Sequence, residues 1–339
     1  MDKCLITGGV GFIGANLAER LIRDGRQVRI FDNLSRAGVE KNLSWLNENF
    51  HGRFEFIRGD VRDASAVTKA IEDVDTVFHF ASQVAVTTSV ADPRMDFESN
   101  ALGTLNVLEG ARQMHPLPAI LFTSTNKVYG KIAHVGVVDK GGRYEFDRLP
   151  EGVDESQPLD FYSPYGCSKG AGDQYVRDYA RIYGMKTVVF RMSCIYGPHQ
   201  FGNEDQGWVA HFVISAIAGR PIKIYGDGRQ VRDILYVDDL VEAFVRAAEN
   251  LDKTAGEVFN IGGGPTNSIS LLELLELLEQ ITGSKISTEY SDWRPGDQKV
   301  YVSNIKKARR IFGWIPCITR ESGIRLLYDW AIANHRLFR

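Results

Sequence analysis

Cys4-Leu5-Ile6-Thr7-Gly8-Gly9-Val10-Gly11-Phe12-Ile13-Gly14 is the stretch whose reading decides the fold. A short apolar run ends in glycines spaced G-x-x-G-x-x-G. Ala15 to Arg23 then has helical periodicity, and Asp24-Gly25 stops it. Strand, glycine turn and helix, in that order, are the context a dinucleotide-binding start requires. Gly8 permits a tight turn, Gly11 lets backbone approach a pyrophosphate, and Gly14 lets the helix pack closely. The helix N-terminus faces the phosphates, and Phe12 and Ile13 are further candidates for cofactor contact.

Outward from the turn, the next strand, Val28-Arg29-Ile30-Phe31, ends at Asp32. That is about 20 residues past the glycines, where a carboxylate binds a ribose diol and repels a 2′-phosphate. NAD is therefore preferred to NADP. Asn33 and Ser35 extend this part of the site, and Arg36 is a basic side chain able to accept a 2′-phosphate. Phe54 to Ile57 reads as a strand leading to Asp60 and Val61, placed at the adenine. A helix over Ala64 to Ile71 and a strand over Thr76 to Ala81 follow. Phe80, Ala81 and Gln83 are placed on the nicotinamide-ribose side, and His79 reads as a satisfied interior histidine. Asn100 to Arg112 reads as a helix, and Ala119 to Phe122 as a buried strand ending in Thr123-Ser124-Thr125-Asn126-Lys127. Strands alternating with helices at this spacing imply parallel βαβ units and a doubly wound sheet.

Residues 131–161 are polar and glycine-rich, and a connection this long reads as a flap over a substrate. Thr187 to Arg191 is another strand, after which the strand–helix rhythm loosens. The expected division is a Rossmann-type domain over 1–190 plus about 230–255, and a smaller α/β substrate domain over 191–229 and 256–339. Within the latter, Ser270-Leu271-Leu272-Glu273 is a capping box opening a leucine-rich helix.

Ser163-Pro164-Tyr165-Gly166-Cys167-Ser168-Lys169 carries the chemistry. A tyrosine and a lysine four apart share one face of a helix, and proline suits its first turn. A phenol ionises near pH 10, so acting as a base at pH 7 needs about 3 pH units of help, or about 4 kcal/mol. A nearby ammonium supplies part of it, and a second positive group, such as an oxidised nicotinamide, is expected to add the rest. An isolated Y-x-x-x-K arises often by chance, so the glycine turn and Asp32 give this one its weight.

The chain has 339 residues and a formal charge of −3, which points to neither nucleic acid nor an anionic membrane as partner. Four separated cysteines without a C-x-x-C fit a reducing compartment and no metal site. Met1-Asp2-Lys3 runs straight into a strand, leaving no room for a signal peptide, and no run approaches the length of a membrane span. The expectation is a cytoplasmic protein.

Together, the glycine turn, Asp32, Asn100, Thr125, Tyr165 and Lys169 resemble the extended short-chain dehydrogenase/reductase family over nearly the whole chain. The resemblance implies bound NAD, with Asn100 in the cofactor half. It also implies Tyr165 as the base, Lys169 as its partner and a ribose ligand, and Thr125 as the hydroxyl on the substrate oxygen. Sugar-nucleotide dehydratases of this family carry an Asp-Glu pair after the threonine. Here Asn126 and Lys127 stand instead, and neither can do a carboxyl group's proton work. Oxidation followed by re-reduction, which is epimerisation, remains. Asp32 to Arg36, Ser124 to Gly130, Leu159 to Lys169 and Asp205 to Val209 are similar to the CDP-paratose (CDP-tyvelose) 2-epimerases of the family. That likeness implies a CDP-linked hexose inverted at C2. Asn126, Lys127, Ser193, His199 and Gln206 are candidates for the sugar or base, and Arg232 and Arg294 for the diphosphate. The alternatives are a UDP-sugar 4-epimerase, a net NAD-dependent oxidoreductase, and a non-catalytic NAD-binding protein on the same fold. Helices over Asn100–Arg112 and Ser168–Tyr183 are expected to pair in a homodimer or homotetramer.

Overall fold

Each short apolar run in the first half of the chain becomes a strand of one sheet. In the computed structural model, which describes residues 3–294 and 297–338, these are β1 (Lys3–Thr7), β2 (Gln27–Asp32), β3 (Phe54–Arg58), β4 (Thr76–His79) and β5 (Ala119–Thr125). The helices between them are α1 (Phe12–Arg23), α2 (Val39–Phe50), α3 (Ala64–Ile71), α4 (Val86–Ala91), α5 (Pro93–Phe97) and α6 (Gly103–Arg112). A hairpin of β6 (Val137–Asp139) and β7 (Tyr144–Phe146) follows. The long α7 (Pro164–Tyr183) then returns the chain to the sheet as β8 (Thr187–Met192).

Beyond β8 the chain alternates between the large sheet and a second unit built on two smaller sheets. β9 (Cys194–Tyr196), α8 (Trp208–Ile217), β10 (Ile222–Tyr225) and β11 (Val231–Tyr236) build a second unit, and α9 (Val237–Glu249) and β12 (Val258–Ile261) return to the first. β13 (Ser268–Ser270), a helix over Leu271–Thr282, β14 (Thr288–Ser291), β15 (Val300–Tyr301) and a helix over Arg320–Ala333 complete the second unit.

The large sheet is parallel, with strand order β12-β8-β5-β4-β1-β2-β3. All seven residues of β5 are buried, as a parallel strand covered on both faces requires. One apolar core, including Leu17, Leu21 and Phe244, packs α1 and α9 on one face. A second, including Val107, Leu108 and Val176, packs α3, α6 and α7 on the other. The strand order reverses between β1 and β4, which opens a crevice at their carboxyl ends. The second unit has its own core, with Phe212, Leu274, Leu278 and Leu327.

Four expectations change. β11 pairs with β9, β13 and β15, and β12 pairs with β8. Residues 231–236 therefore lie in the small sheet and 258–261 in the large one, opposite to the expected boundaries. An apolar strand carries no mark of the sheet it will join. The helix read over Asn100–Arg112 instead runs from α5 through a π turn at Glu98–Leu102 into α6, and Asn100 sits within the π turn. α2 and α4 lie in stretches read without a helix. Lastly, residues 131–161 are anchored to the second unit. Arg143 pairs with Glu273 at 3.0 Å, Tyr144 Oη donates to Asp227 at 2.7 Å, and Val153 bridges Ser303. Among the described residues this segment contributes none to the main cleft.

Candidate active site

The turn after β1 is compressed against the end of β4. Gly8 has φ +67°, and a Cβ there would lie 2.7 Å from the Ala81 backbone nitrogen. A Cβ on Gly14 would lie 2.4 Å from the Gly8 carbonyl oxygen. Gly11 is the N-cap of α1 and offers no side chain to its first N–H groups. Those donors, beside Gly11, Phe12, Ile13 and Gly14, form one wall of a cleft of about 520 Å³.

The opposite walls come from the ends of β2, β3 and β4. Asp32 accepts from Leu34 N at 2.9 Å and Val10 N at 3.3 Å, and burial pushes its carboxyl up. Asn33 Nδ2 donates to Asp60 at 2.8 Å. The Arg62 guanidinium holds the Asp60 carboxyl far below the usual carboxylate range. Arg36 donates to the Gln206 side chain across the cleft mouth, so this arginine is engaged with a neutral amide. Ser35, Val61, Phe80, Ala81 and Gln83 also line the cleft. Asn100 stands behind it, where its Oδ1 accepts from Gln83 N at 2.8 Å. Orphaned helix N–H donors for a diphosphate and a strand-end carboxylate for a ribose diol fit a dinucleotide without a 2′-phosphate.

Residues missed from sequence also line this cleft, among them Thr88, Met95, Ser99, Met192 and Asn203. Thr88 and Met95 lie on α4 and α5. The N-cap signal Asp92-Pro93 could have revealed α5, since Asp92 accepts from Met95 N at 3.0 Å with proline in the first turn.

α7 begins where its sequence says. Ser163 caps Gly166 N at 3.0 Å, Pro164 takes the first turn, and Tyr165 and Lys169 follow on one buried face of the cleft. Burial pushes the Tyr165 phenol up to about 12, with the Thr125 hydroxyl and the Arg36 charge pulling it down. Burial lowers Lys169 to about 7 against the raising effect of Asp173 and Asp96. The Lys169 ammonium sits 4.4 Å over the Phe122 ring. The Arg36 guanidinium is a further cation that favours the phenolate, reaching Tyr165 from the cleft side. Thr125 ends β5 with its hydroxyl accepting from Lys127 N at 3.2 Å.

Of the expected substrate residues outside the trio, only Gln206 lines the main cleft. Asn126 is buried beside Thr125, whose hydroxyl reaches its Oδ1 at 3.3 Å. Lys127 Nζ reaches Gln298 Oε1 at 3.5 Å, and burial with nearby Arg232 lowers its pKa. Arg232 is a buried ion pair with Asp297 at 2.7 Å and also donates to the Gln298 and Val231 carbonyls at 2.6 and 2.8 Å. Its guanidinium is held by these protein partners, outside the main cleft. Arg294 stacks 3.9 Å over Tyr225 and donates to the Glu204 carbonyl at 2.8 Å. Ser193 donates into Asp233 and does not line the main cleft. His199 packs between Trp45 at 4.0 Å and Trp330 at 5.4 Å, outside the main cleft, and burial lowers it to about 4. Its partners come from α2 and the last long helix, which no local pattern around residue 199 reveals. His79 is interior, bonded to Thr7 at 2.7 Å and Thr104 at 3.1 Å.

A doubly wound sheet with a dinucleotide cleft at its switch point, and Thr125, Tyr165 and Lys169 beside it, defines a nicotinamide-dependent enzyme of the extended short-chain dehydrogenase/reductase type. The chain belongs to the NAD dependent epimerase/dehydratase family, whose model matches residues 4–262. It is 46% identical to CDP-paratose 2-epimerase of Salmonella typhi, over 97% of this chain and 98% of that one. It is 32% identical to UDP-glucose 4-epimerase of Mycolicibacterium smegmatis, over 95% and 96%. Among solved structures, UDP-glucuronic acid 4-epimerase from Bacillus cereus, in complex with UDP-glucuronic acid and NAD, superposes with a TM-score of 0.84 at 28% identity, covering 98% and 99%. The protein is an enzyme, and NAD is its cofactor. Among the described residues no helix is long and apolar enough to cross a membrane.

Proposed function

We propose that the protein inverts C2 of a CDP-linked hexose of the CDP-paratose/CDP-tyvelose type. The reading rests on the 46% identity, across nearly the whole of both chains, with a CDP-paratose 2-epimerase. Thr125-Asn126-Lys127 at the end of β5 supports it, because no carboxylate stands beside the threonine to eliminate water.

In this reading Gly8 to Gly14, Asp32 to Arg36, Asp60, Val61, Phe80, Ala81 and Gln83 hold NAD, with Asn100 fixing the Gln83 loop. Bound there, NAD supplies a hydride acceptor and donor whose use leaves no net redox change. Tyr165 takes the proton of the C2 hydroxyl and later returns it. Thr125 hydrogen-bonds the reacting oxygen throughout. Lys169 contributes positive charge that favours the phenolate and binds the ribose. Asn126, Lys127, Gln206 and Arg294 contact the sugar nucleotide, which the second unit covers. We assign the protein to the cytoplasm as a homodimer or homotetramer. The exposed Phe97, Tyr175 and Ile182 on α5 and α7 offer an apolar surface for that pairing.

The test is incubation without added NAD of CDP-glucose deuterated at C2, beside UDP-glucose deuterated at C4, with CDP-paratose as a third substrate. Epimerised CDP-sugar that keeps its deuterium at C2 is the expected product. Inversion at C4 of the UDP-sugar moves the enzyme to the 4-epimerases. A requirement for an external electron acceptor makes it a net oxidoreductase.

A further inference from the structure

Asp96, on α5, has no exposure to solvent. It lies against α7 beneath the catalytic pair. Ser168 Oγ donates to its Oδ2 at 2.5 Å, and Asn100 Nδ2 donates to its Oδ1 at 3.0 Å. Asn100 Nδ2 also reaches Ser168 Oγ at 3.0 Å, while Asn100 Oδ1 accepts from Gln83 N at 2.8 Å. The Ser168 hydroxyl has one proton and two acceptors in reach, Asp96 at 2.5 Å and the Tyr165 carbonyl at 3.2 Å, and the shorter contact takes it. Burial raises the Asp96 pKa, and the donors converging on the carboxylate, with the Lys169 charge, oppose that shift and favour the anion.

A buried anion needs a counter-charge. None of the ion pairs among the described residues uses Asp96, whereas Asp173 is neutralised by a bidentate contact from Arg191 at 2.9 Å. Lys169 is the complementary case. It is 3% exposed and makes no ion pair among the described residues, and its ammonium rests over the Phe122 ring. These two groups, neither in a direct ion pair among the described residues, lie on adjacent elements at one turn of α7, and their charges act on each other. The other groups facing them are accounted for. His79 is buried and neutral, its pKa lowered to about 3. Glu98, next to Asp96 in the π turn, faces Arg62 and Arg94 at 3.9 Å. Arg36 reaches Tyr165 from the cleft side, and α4 carries no titratable residue.

We propose that Asp96 is a positioning residue for this reaction, an inference that rests on the epimerase reading above: its buried carboxylate adds to Asp173 the negative charge that keeps Lys169 an ammonium, and its hydrogen bonds tie α7 to the Gln83 loop of the cofactor cleft. Burial brings Lys169 down to about 7 even with Asp173 and Asp96 opposing it. Without that anion the amine becomes neutral within the working pH range and no longer favours a phenolate. The same charge opposes ionisation of Tyr165, so it holds the pair as phenol plus ammonium.

The experiment follows Lys169 by NMR of 13C-lysine-labelled protein with NAD present, its signal assigned by its disappearance in Lys169→Met. In Asp96→Asn the Lys169 titration is expected to fall by about 1 pH unit or more. Both limbs of the pH profile of epimerisation should move to lower pH, because the phenol and the ammonium each lose the influence of the anion. Ser168→Ala, which keeps the charge and deletes one hydrogen bond, should move Lys169 much less. If Asp96→Asn does not fold, Asp96→Leu replaces the ion by an apolar group of similar volume and takes the same readout. An unmoved Lys169 titration in the Asp96 variant, or an equal shift in Ser168→Ala, overturns the proposal. The titration needs no sugar substrate, so a protein silent with every nucleotide sugar would sink the functional reading and leave this one to be judged on Lys169.

Discussion

Tyr165 and Lys169 share a turn of α7, yet each answers to charges elsewhere: the phenol to Thr125, Asp96 and Arg36, the ammonium to Asp173 and Asp96. Spacing brought the pair onto one face, but burial sets the sign of both shifts, against the charged form in each case. The phenol at about 12 is a poor base in the protein's own field. Further positive charge at the cleft is what the proposed chemistry requires. Tyr165→Phe should therefore reduce kcat roughly 100- to 10,000-fold, the range for losing a general base. The NAD that co-purifies, counted by its absorbance after denaturation, should stay at the wild-type level. If kcat holds near wild type in Tyr165→Phe, the proton acceptor is another group.

Among the elements, the β1–α1 turn tolerates the least change. Gly14→Ala would place a methyl 2.4 Å from the Gly8 carbonyl oxygen, and backbone cannot yield as a flexible side chain would. We expect it to lower the thermal midpoint and strip NAD from the purified protein, whereas Gly25→Ala, with no atom within 4 Å of its Cβ, should keep NAD. Equal NAD content in the two variants would show that the turn is not the cofactor cradle. The elements hardest to read were those that fill the cleft wall. α4 and α5 are 6 and 5 residues long, too short for a periodicity to emerge. The segment 131–161 read as a flap because its composition is loop-like. Its Arg143 and Tyr144 find partners more than 80 residues away, at Glu273 and Asp227.

The whole molecule carries a pH dependence of its own. His79 joins β4 to Thr7 and Thr104, and His199 is packed between the first unit's Trp45 and Trp330 of the last long helix. Their folded-state pKa values, about 3 and about 4, lie below the ordinary 6.5. The unfolded chain thus binds more protons as pH falls below 6.5. Stability present above that value is lost progressively, toward about pH 4 for His199 and about pH 3 for His79, by about 2 kcal/mol for each histidine at pH 5. Urea midpoints at pH 7 and pH 5 measure the loss. His199→Phe should lose about 2 kcal/mol less than wild type between the two, and an identical loss would remove His199 from the account. By itself the sequence determined the parallel sheet, the glycine turn, Asp32 at the second strand end, the capped start of α7 and the catalytic pair on it. All of these depend on residues within a few positions of one another. Which sheet β11 and β12 join was decided only by the tertiary structure. So were the burial of Arg232 against Asp297, the stacking of His199 on two tryptophans, and the meeting of Asp96 with Ser168. Each rests on contacts between residues far apart in the chain, and their local sequence is the same whether the partner is protein, ligand or water.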